Sequence, residues 1–155
     1  MSTETDPMAP DFSLPATGEQ TITLSALRGK NIILYFYPKD NTPGCTQEGQ
    51  DFRDAFAEFE ALDTGIFGIS RDSVKVHTNF KAKHGFPFDL IADKDEIACK
   101  LYDVIKLKNM FGKQSLGVER STFLIDKQGK LCHTWRKVKV KTHVAEVLAA
   151  VQALT

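Results

Sequence analysis

The sequence has no apolar stretch approaching the ~20 residues a helix needs to cross a bilayer. Its opening, MSTETDPMAP, has neither the basic segment nor the hydrophobic core of an export signal. It also lacks net charge, since 20 lysines and arginines balance 20 aspartates and glutamates. Nothing in that balance favours nucleic acid or an anionic membrane as a partner. Cysteine is scarce: Cys45, Cys99 and Cys132 stand 54 and 33 positions apart. That pattern is neither a secreted disulfide scaffold nor a CxxC pair or zinc spacing. His77, His84, His133 and His143 show no ligand spacing either, so they read as surface residues and no metal is expected. Together these absences point to a cytoplasmic protein in a reducing compartment. Internal repeats and low-complexity tracts are missing as well.

What is present is an ordinary globular composition, 155 residues at 42% hydrophobic and 26% charged, enough for one core. Residues 1–9 are polar and expected to be flexible, and residues 10–155 to form a single domain. Pro10, Phe12 and Leu14, a Thr17–Gly18 turn, then Ile22 and Leu24 predict an N-terminal β-hairpin, with a short turn over residues 25–30. The unbroken run from Ile32 to Tyr37 predicts a strand buried on both faces, ended by Pro38. Phe52, Ala55, Phe56, Phe59 and Leu62 recur at helical spacing, predicting one helix over 46–62. A strand over 65–69, a helix over 74–83 capped by Ser73, a strand over 88–91 and a short helix over 93–102 follow. Residues 103–119 have no clean period and read as a long surface loop. A hairpin of 122–125 and 131–135 around Asp126–Gly129, and an amphipathic helix over 142–154, close the chain. Arg136, Lys137, Lys139 and Lys141, alternating with Val138 and Val140, read as an edge strand. This order predicts an α/β architecture, a central mixed sheet flanked by helices.

Cys45 stands apart from the other two thiols by its setting. A lone free cysteine is ordinarily a small buried hydrophobe, and Cys99 and Cys132 read that way. Thr42 before Pro43 looks like a helix N-cap followed by proline at the first helical position, which puts Cys45 in the first turn among unpaired N–H groups. Bringing a thiol from about 8.5 to mostly ionised at neutral pH takes roughly 3.4 kcal/mol. A helix terminus supplies only ~0.3 to 2 kcal/mol, so a cation must help. The neighbours supply none of the right sign: Glu48 and Asp51 are acidic and Lys39 lies on the other side of the turn. The partner must come from elsewhere in the chain.

The segment YPKDNTPGCTQEGQDFR, with Pro38, Thr42 and Cys45 in the order PxxxTxxC, resembles the active-site segment of peroxiredoxins of the bacterioferritin comigratory protein, or peroxiredoxin Q, subfamily. APDFSLP at 9–15 and KNMFGKQSLGVERSTFLID at 108–126 extend the resemblance over nearly the whole chain. It implies a thioredoxin-like fold and a peroxidase that reduces hydrogen peroxide and organic hydroperoxides with no cofactor. By resemblance, Cys45 is the attacking thiolate, Thr42 orients peroxide through its hydroxyl, Pro43 shields the thiolate, Pro38 and Gly44 line the substrate site, and Arg120 is the missing cation. Thioredoxin, glutaredoxin or a low-molecular-weight thiol would be the reductant, and a monomer is expected.

The chain departs from the subfamily at Gln50, where many members carry the cysteine that resolves the sulfenic acid. Residues 79–83 hold no cysteine either. A one-cysteine cycle with an external thiol is therefore expected, with Cys99 or Cys132 as the alternative resolving residue. A thioredoxin-type disulfide oxidoreductase is excluded by Gly44 and Thr46 flanking a single thiol. A peroxide sensor or holdase using the same thiol without efficient turnover remains the rival function.

Overall fold

The computed structural model describes residues 6–154. Its main sheet has the order β2 (Gln20–Thr23), β1 (Ser13–Ala16), β5 (Asp89–Ala92), β4 (Thr64–Ser70), β3 (Asn31–Phe36), β8 (Ser121–Ile125) and β9 (Leu131–Trp135). The run of β-formers becomes the central strand β3 (Asn31–Phe36), all six residues of which are buried. Strands β3, β4 (Thr64–Ser70) and β5 (Asp89–Ala92) are parallel, whereas β8 (Ser121–Ile125) runs antiparallel beside β3 and pairs in turn with β9 (Leu131–Trp135). The N-terminal hairpin, β1 (Ser13–Ala16) with β2 (Gln20–Thr23), joins the opposite edge through Ala16 and Ile91. This is the expected mixed sheet of a thioredoxin-like fold. Residues 24–27 form a 3-10 turn that takes in Leu24, expected in the hairpin's second strand, and overlaps the turn expected over 25–30.

Alternation along β3 divides the core. Ile32, Leu34 and Phe36 face one layer with the N-terminal hairpin and α4 (Ile97–Leu101). Ile33, Tyr35 and Tyr37 face the other, with Cys45, Phe52, Phe59, Phe80 and Val147. Those residues come from α1 (Pro43–Asp54), α2 (Phe56–Ala61), α3 (Val74–His84) and α5 (His143–Gln152). Tyr35 stacks on Phe52 at 4.7 Å between ring centroids, a contact that fixes α1 on the strand that leads into it.

Several expectations are corrected. The helix over 46–62 is interrupted at Ala55, whose φ of −96° and ψ of 1° break the helical ladder between α1 and α2, while Phe52 and Phe59 stay fully buried. Residues 103–119 are not a loop but a separate hairpin, β6 (Ile105–Met110) with β7 (Lys113–Val118). Its Leu107 and Leu116 face each other in exposed positions, so no core-facing period existed to be read. The edge strand expected over 136–141 is absent: Lys137 has a φ of 51°, which ends the extended run just after β9. The helix over 93–102 is shorter, because the Asp93 carboxylate accepts from the Ile97 and Cys99 amides and sets its start. His77 and His143 are buried rather than on the surface, held by hydrogen bonds. Of the stretch 1–9, residues 1–5 lie outside the described residues, whereas Pro7, Met8 and Ala9 pair with the Gly129–Leu131 segment.

The carboxyl ends of β3, β4 and β5 open at one edge of the sheet, where ligand sites of parallel α/β sheets gather. The start of β8 lies at the same edge, since Ser121 pairs with Phe36. Gly49 seats α1 against the segment before β5: a Cβ there would stand 2.5 Å from the Phe86 ring. Gly49→Ala is expected to cost about 1–3 kcal/mol in urea denaturation, because the ring is packed on both sides and cannot retreat.

Candidate active site

At the end of β3 the chain passes through Pro38, Lys39, Asp40, Asn41 and Thr42 before α1 begins. Thr42 has the extended N-cap conformation (φ −92°, ψ 152°) and Pro43 is the first helical residue, where its missing N–H costs nothing. The Thr42 hydroxyl does not cap the helix. It donates to the Lys39 carbonyl at 2.8 Å, closing the turn on itself and leaving the oxygen lone pairs free to accept. Cys45 is the third residue of the helix and only 1% exposed.

The missing cation arrives from 75 residues away. Arg120, just ahead of β8, places Nη2 at 3.4 Å from Cys45 Sγ and Nη1 at 2.6 Å from Glu48 Oε1. Its backbone is fixed in turn, the carbonyl accepting from Val138 N at 3.0 Å. Gly44 eases the approach, since a Cβ there would lie 3.1 Å from Arg120 Nη2, closer than an ordinary contact. Burial disfavours the guanidinium charge, yet the Glu48 carboxylate and the Cys45 sulfur outweigh it and hold the proton more firmly than usual.

Glu48 is fully buried one turn along from Cys45, and its Oε2 has no hydrogen-bond partner among the described residues. Burial pushes its carboxyl up to about 7 against the pull of Arg120. Near neutrality the group therefore divides between a charged form that shares Arg120 with the Cys45 sulfur and a neutral form that leaves the guanidinium to it. Lys108, on β6, lies against Gly117, and burial together with Arg120 lowers its affinity for a proton while Cys45 opposes that. Behind Arg120, His143 Nε2 sits 2.8 Å from the Thr122 hydroxyl, and burial pushes the ring down to about 4, with Arg120 adding to the effect.

The structure brings Thr42, Pro43, Gly44, Cys45 and Arg120 into one turn-and-helix start, with Pro38 at its entrance. It does not bring the other thiols there. Cys99 belongs to the core layer on the opposite face of the sheet from Cys45, and burial and Asp93 push its thiol up. Cys132 lies beside Leu124 and Ile125, which pair with Ile33 and Ile32 at the far end of β3. That is on the order of 10 Å along the strand from the site. Glu48 carries the wrong sign for a partner to Cys45, so charge in the sequence does not single it out. Its spacing of three from Cys45 was the available signal, since it places both on one helical face.

The sequence pattern of the AhpC/TSA family matches residues 6–134. The chain belongs to that family. Among AhpC/TSA relatives, peroxiredoxin Bcp of Bacillus subtilis is 50% identical over 155 residues, covering 100% of this chain and 99% of that one. Peroxiredoxin Bcp of Xanthomonas campestris is 53% identical over 92% of this chain and 89% of its own. A solved structure of Xanthomonas campestris peroxiredoxin Q superposes with a TM-score of 0.88 at 53% identity, covering 92% of this chain and 90% of that one. The same organism's bacterioferritin comigratory protein has been solved in trapped intermediate and ligand complexes bearing on alkyl peroxide reduction (TM-score 0.88, 52% identity, 92% and 90% coverage). The chain is thus a peroxiredoxin of the Bcp and peroxiredoxin Q branch.

The buried carboxyl yields a sign-definite prediction. Its folded value of about 7 lies above the ordinary 4.5, so the neutral form favours folding, and that contribution is lost as pH rises from 4.5 to 7. Wild type should lose up to about 3 kcal/mol relative to Glu48→Gln across that window. Parallel stability curves for the two proteins in urea at successive pH values contradict the assignment.

Proposed function

We propose that Cys45 is the thiolate that attacks hydrogen peroxide and organic hydroperoxides, and that an external thiol then reduces it. The observation that carries this reading is the Arg120 guanidinium at 3.4 Å from a thiol at a helix N-terminus. The sulfur forms a bond to one peroxide oxygen as the O–O bond breaks. The other oxygen leaves as hydroxide or alkoxide and is protonated to water or alcohol. Cys45, oxidised by two electrons, is left as sulfenic acid. Arg120 and the free amides of the first turn of α1 stabilise the charge that develops on the oxygens. The Thr42 oxygen, its own hydrogen spent on Lys39, accepts from the peroxide O–H. Pro43, exposed above the buried sulfur, covers it from solvent, and Pro38 and Gly44 bound the peroxide's place.

A disulfide needs Cα atoms within about 7 Å. Cys99 is separated from Cys45 by the sheet and Cys132 by most of a strand's length, which favours a one-cysteine cycle over an internal bridge. Thioredoxin, glutaredoxin or a low-molecular-weight thiol serves as reductant, and the chain acts as a monomer in a reducing compartment.

Mass spectrometry after one equivalent of peroxide, without other thiols, should show a dimedone-reactive sulfenic acid on Cys45. A chain lighter by two hydrogens with Cys45 linked to Cys99 or Cys132 contradicts the one-cysteine cycle. Arg120→Ala should slow oxidation of Cys45 by about a hundredfold, the cost of removing a charged donor from the developing oxyanion. A sensor or holdase is the better reading if wild-type Cys45 reacts with peroxide no faster than a free thiolate.

A further inference from the structure

Five polar side chains beneath the turn take no part in that chemistry: Tyr37, Asp40, Ser70, Asp72 and His77. Asp40 lies midway between β3 and α1, 3% exposed. Tyr37 donates its hydroxyl to Asp40 Oδ1 at 2.6 Å, and His77 Nδ1, on α3, lies 2.6 Å from Oδ2. The Asp40 amide donates to Asp72 Oδ2 at 2.9 Å, an oxygen that also accepts from the Ser70 hydroxyl. On the far side of the imidazole, Nε2 is 3.0 Å from the Ile91 carbonyl and 3.4 Å from Ser70 Oγ, whose hydrogen is already turned to Asp72.

Nε2 therefore faces acceptors alone and carries a proton. The close contact between Nδ1 and Oδ2 requires a second proton between the two atoms. The pair as a whole is neutral and fully buried, which is what makes it stable out of water. Burial, then Tyr35 and Asp40, hold the Tyr37 phenol protonated, so it remains a donor. Asp40, Asp72 and His77 bring ligand-type atoms within 4.8 Å of one another, as a metal site does. Each group already has its hydrogen-bond partner inside the protein, however, and the network is complete with protons.

We propose that the Asp40–His77 pair is a positioning device that clamps the middle of the Cys45 turn to α3 and to β5. The mechanical path is short. The Thr42 hydroxyl is bonded to the Lys39 carbonyl, so residues 39–42 move as one closed ring that contains Asp40. The Thr42 carbonyl then accepts from Thr46 N at 2.9 Å, the first bond of α1. Asn41, inside the ring, has a φ of 65°, a left-handed conformation that costs on the order of 1 kcal/mol and persists where the surroundings hold it. Clamping Asp40 therefore sets Thr42, the helix start and the orientation of Cys45 toward Arg120. Asp40 and His77 touch neither sulfur nor peroxide and act through the turn.

This inference rests on the reading of Cys45 as the attacking thiolate, and its test separates the two. Asp40→Ala and His77→Ala should each slow the second-order oxidation of Cys45 by peroxide about tenfold or more, since small misplacements of reacting groups are costly. They should also reduce the thiolate absorbance at 240 nm at neutral pH, a readout that a loss of global stability alone does not move. Asp40→Asn should restore the rate to within about threefold, because its amide can donate to a neutral His77 and accept from Tyr37. A folded Asp40→Ala protein with wild-type rate and absorbance overturns the proposal. If the alanine variants do not fold, Tyr37→Phe keeps the ring and removes one donor to Asp40. A slowing of about threefold is then expected from the lost hydrogen bond, and an unchanged rate overturns the proposal. Should wild-type Cys45 itself be slow with peroxide, the proposed function fails, while the absorbance comparison still tests the clamp.

Discussion

A sulfur almost wholly removed from water can carry negative charge only beside a positive partner, and the Arg120 guanidinium stands 3.4 Å from Cys45. Much of the molecule serves this contact. The antiparallel placement of β8 beside β3 brings Ser121 opposite Phe36, so the residue before β8 and the helix after β3 meet at one sheet edge. Gly44 leaves space for the guanidinium, and Val138 holds its backbone. A single substitution at any of these points shifts a charge in a low-dielectric site, where its interactions are strongest.

Glu48 makes the arrangement more than an ion pair. A carboxylate 2.6 Å from the same guanidinium shares it with the Cys45 sulfur, and burial weakens the carboxylate's hold by favouring the neutral acid. The site thus holds one cation between two potential anions, and its electrostatic balance lies close to neutral pH. Lys108, reaching in from the β6–β7 hairpin, adds a second positive group, at the cost of its own hold on a proton. The two are linked by geometry that no local stretch of sequence contains: α1, β6 and the segment before β8 converge from three parts of the chain.

The legible parts of the fold were those with a strong one-dimensional signal. The β3 run, the aromatic stripe of Phe52 and Phe59, the Ser73 cap and the Asp126–Gly129 turn each carry their cause within a few residues. The β6–β7 hairpin was not legible, because only its base, at Ile105 and Val118, meets the core, and the exposed Leu107 and Leu116 beyond it have no buried face to impose a period. The histidines misled for the opposite reason. Burial of His77 and His143 depends on partners 37 and 21 residues away, which no spacing among the histidines reveals.

The sequence alone was sufficient to place a thiol at a helix N-terminus, because proline geometry and capping are local, and to show that the helix could not ionise it unaided, because that is arithmetic on known magnitudes. It was also sufficient to show that position 50 holds glutamine and not a second thiol. Tertiary structure decided which cation meets Cys45 at what distance, that Glu48 shares it, and that Cys99 sits behind the sheet. It also decided that Asp40 meets His77 at 2.6 Å out of water. These are facts about which side chains are buried together. Burial follows from how the strands are ordered and which faces the helices cover, and no short-range pattern encodes that.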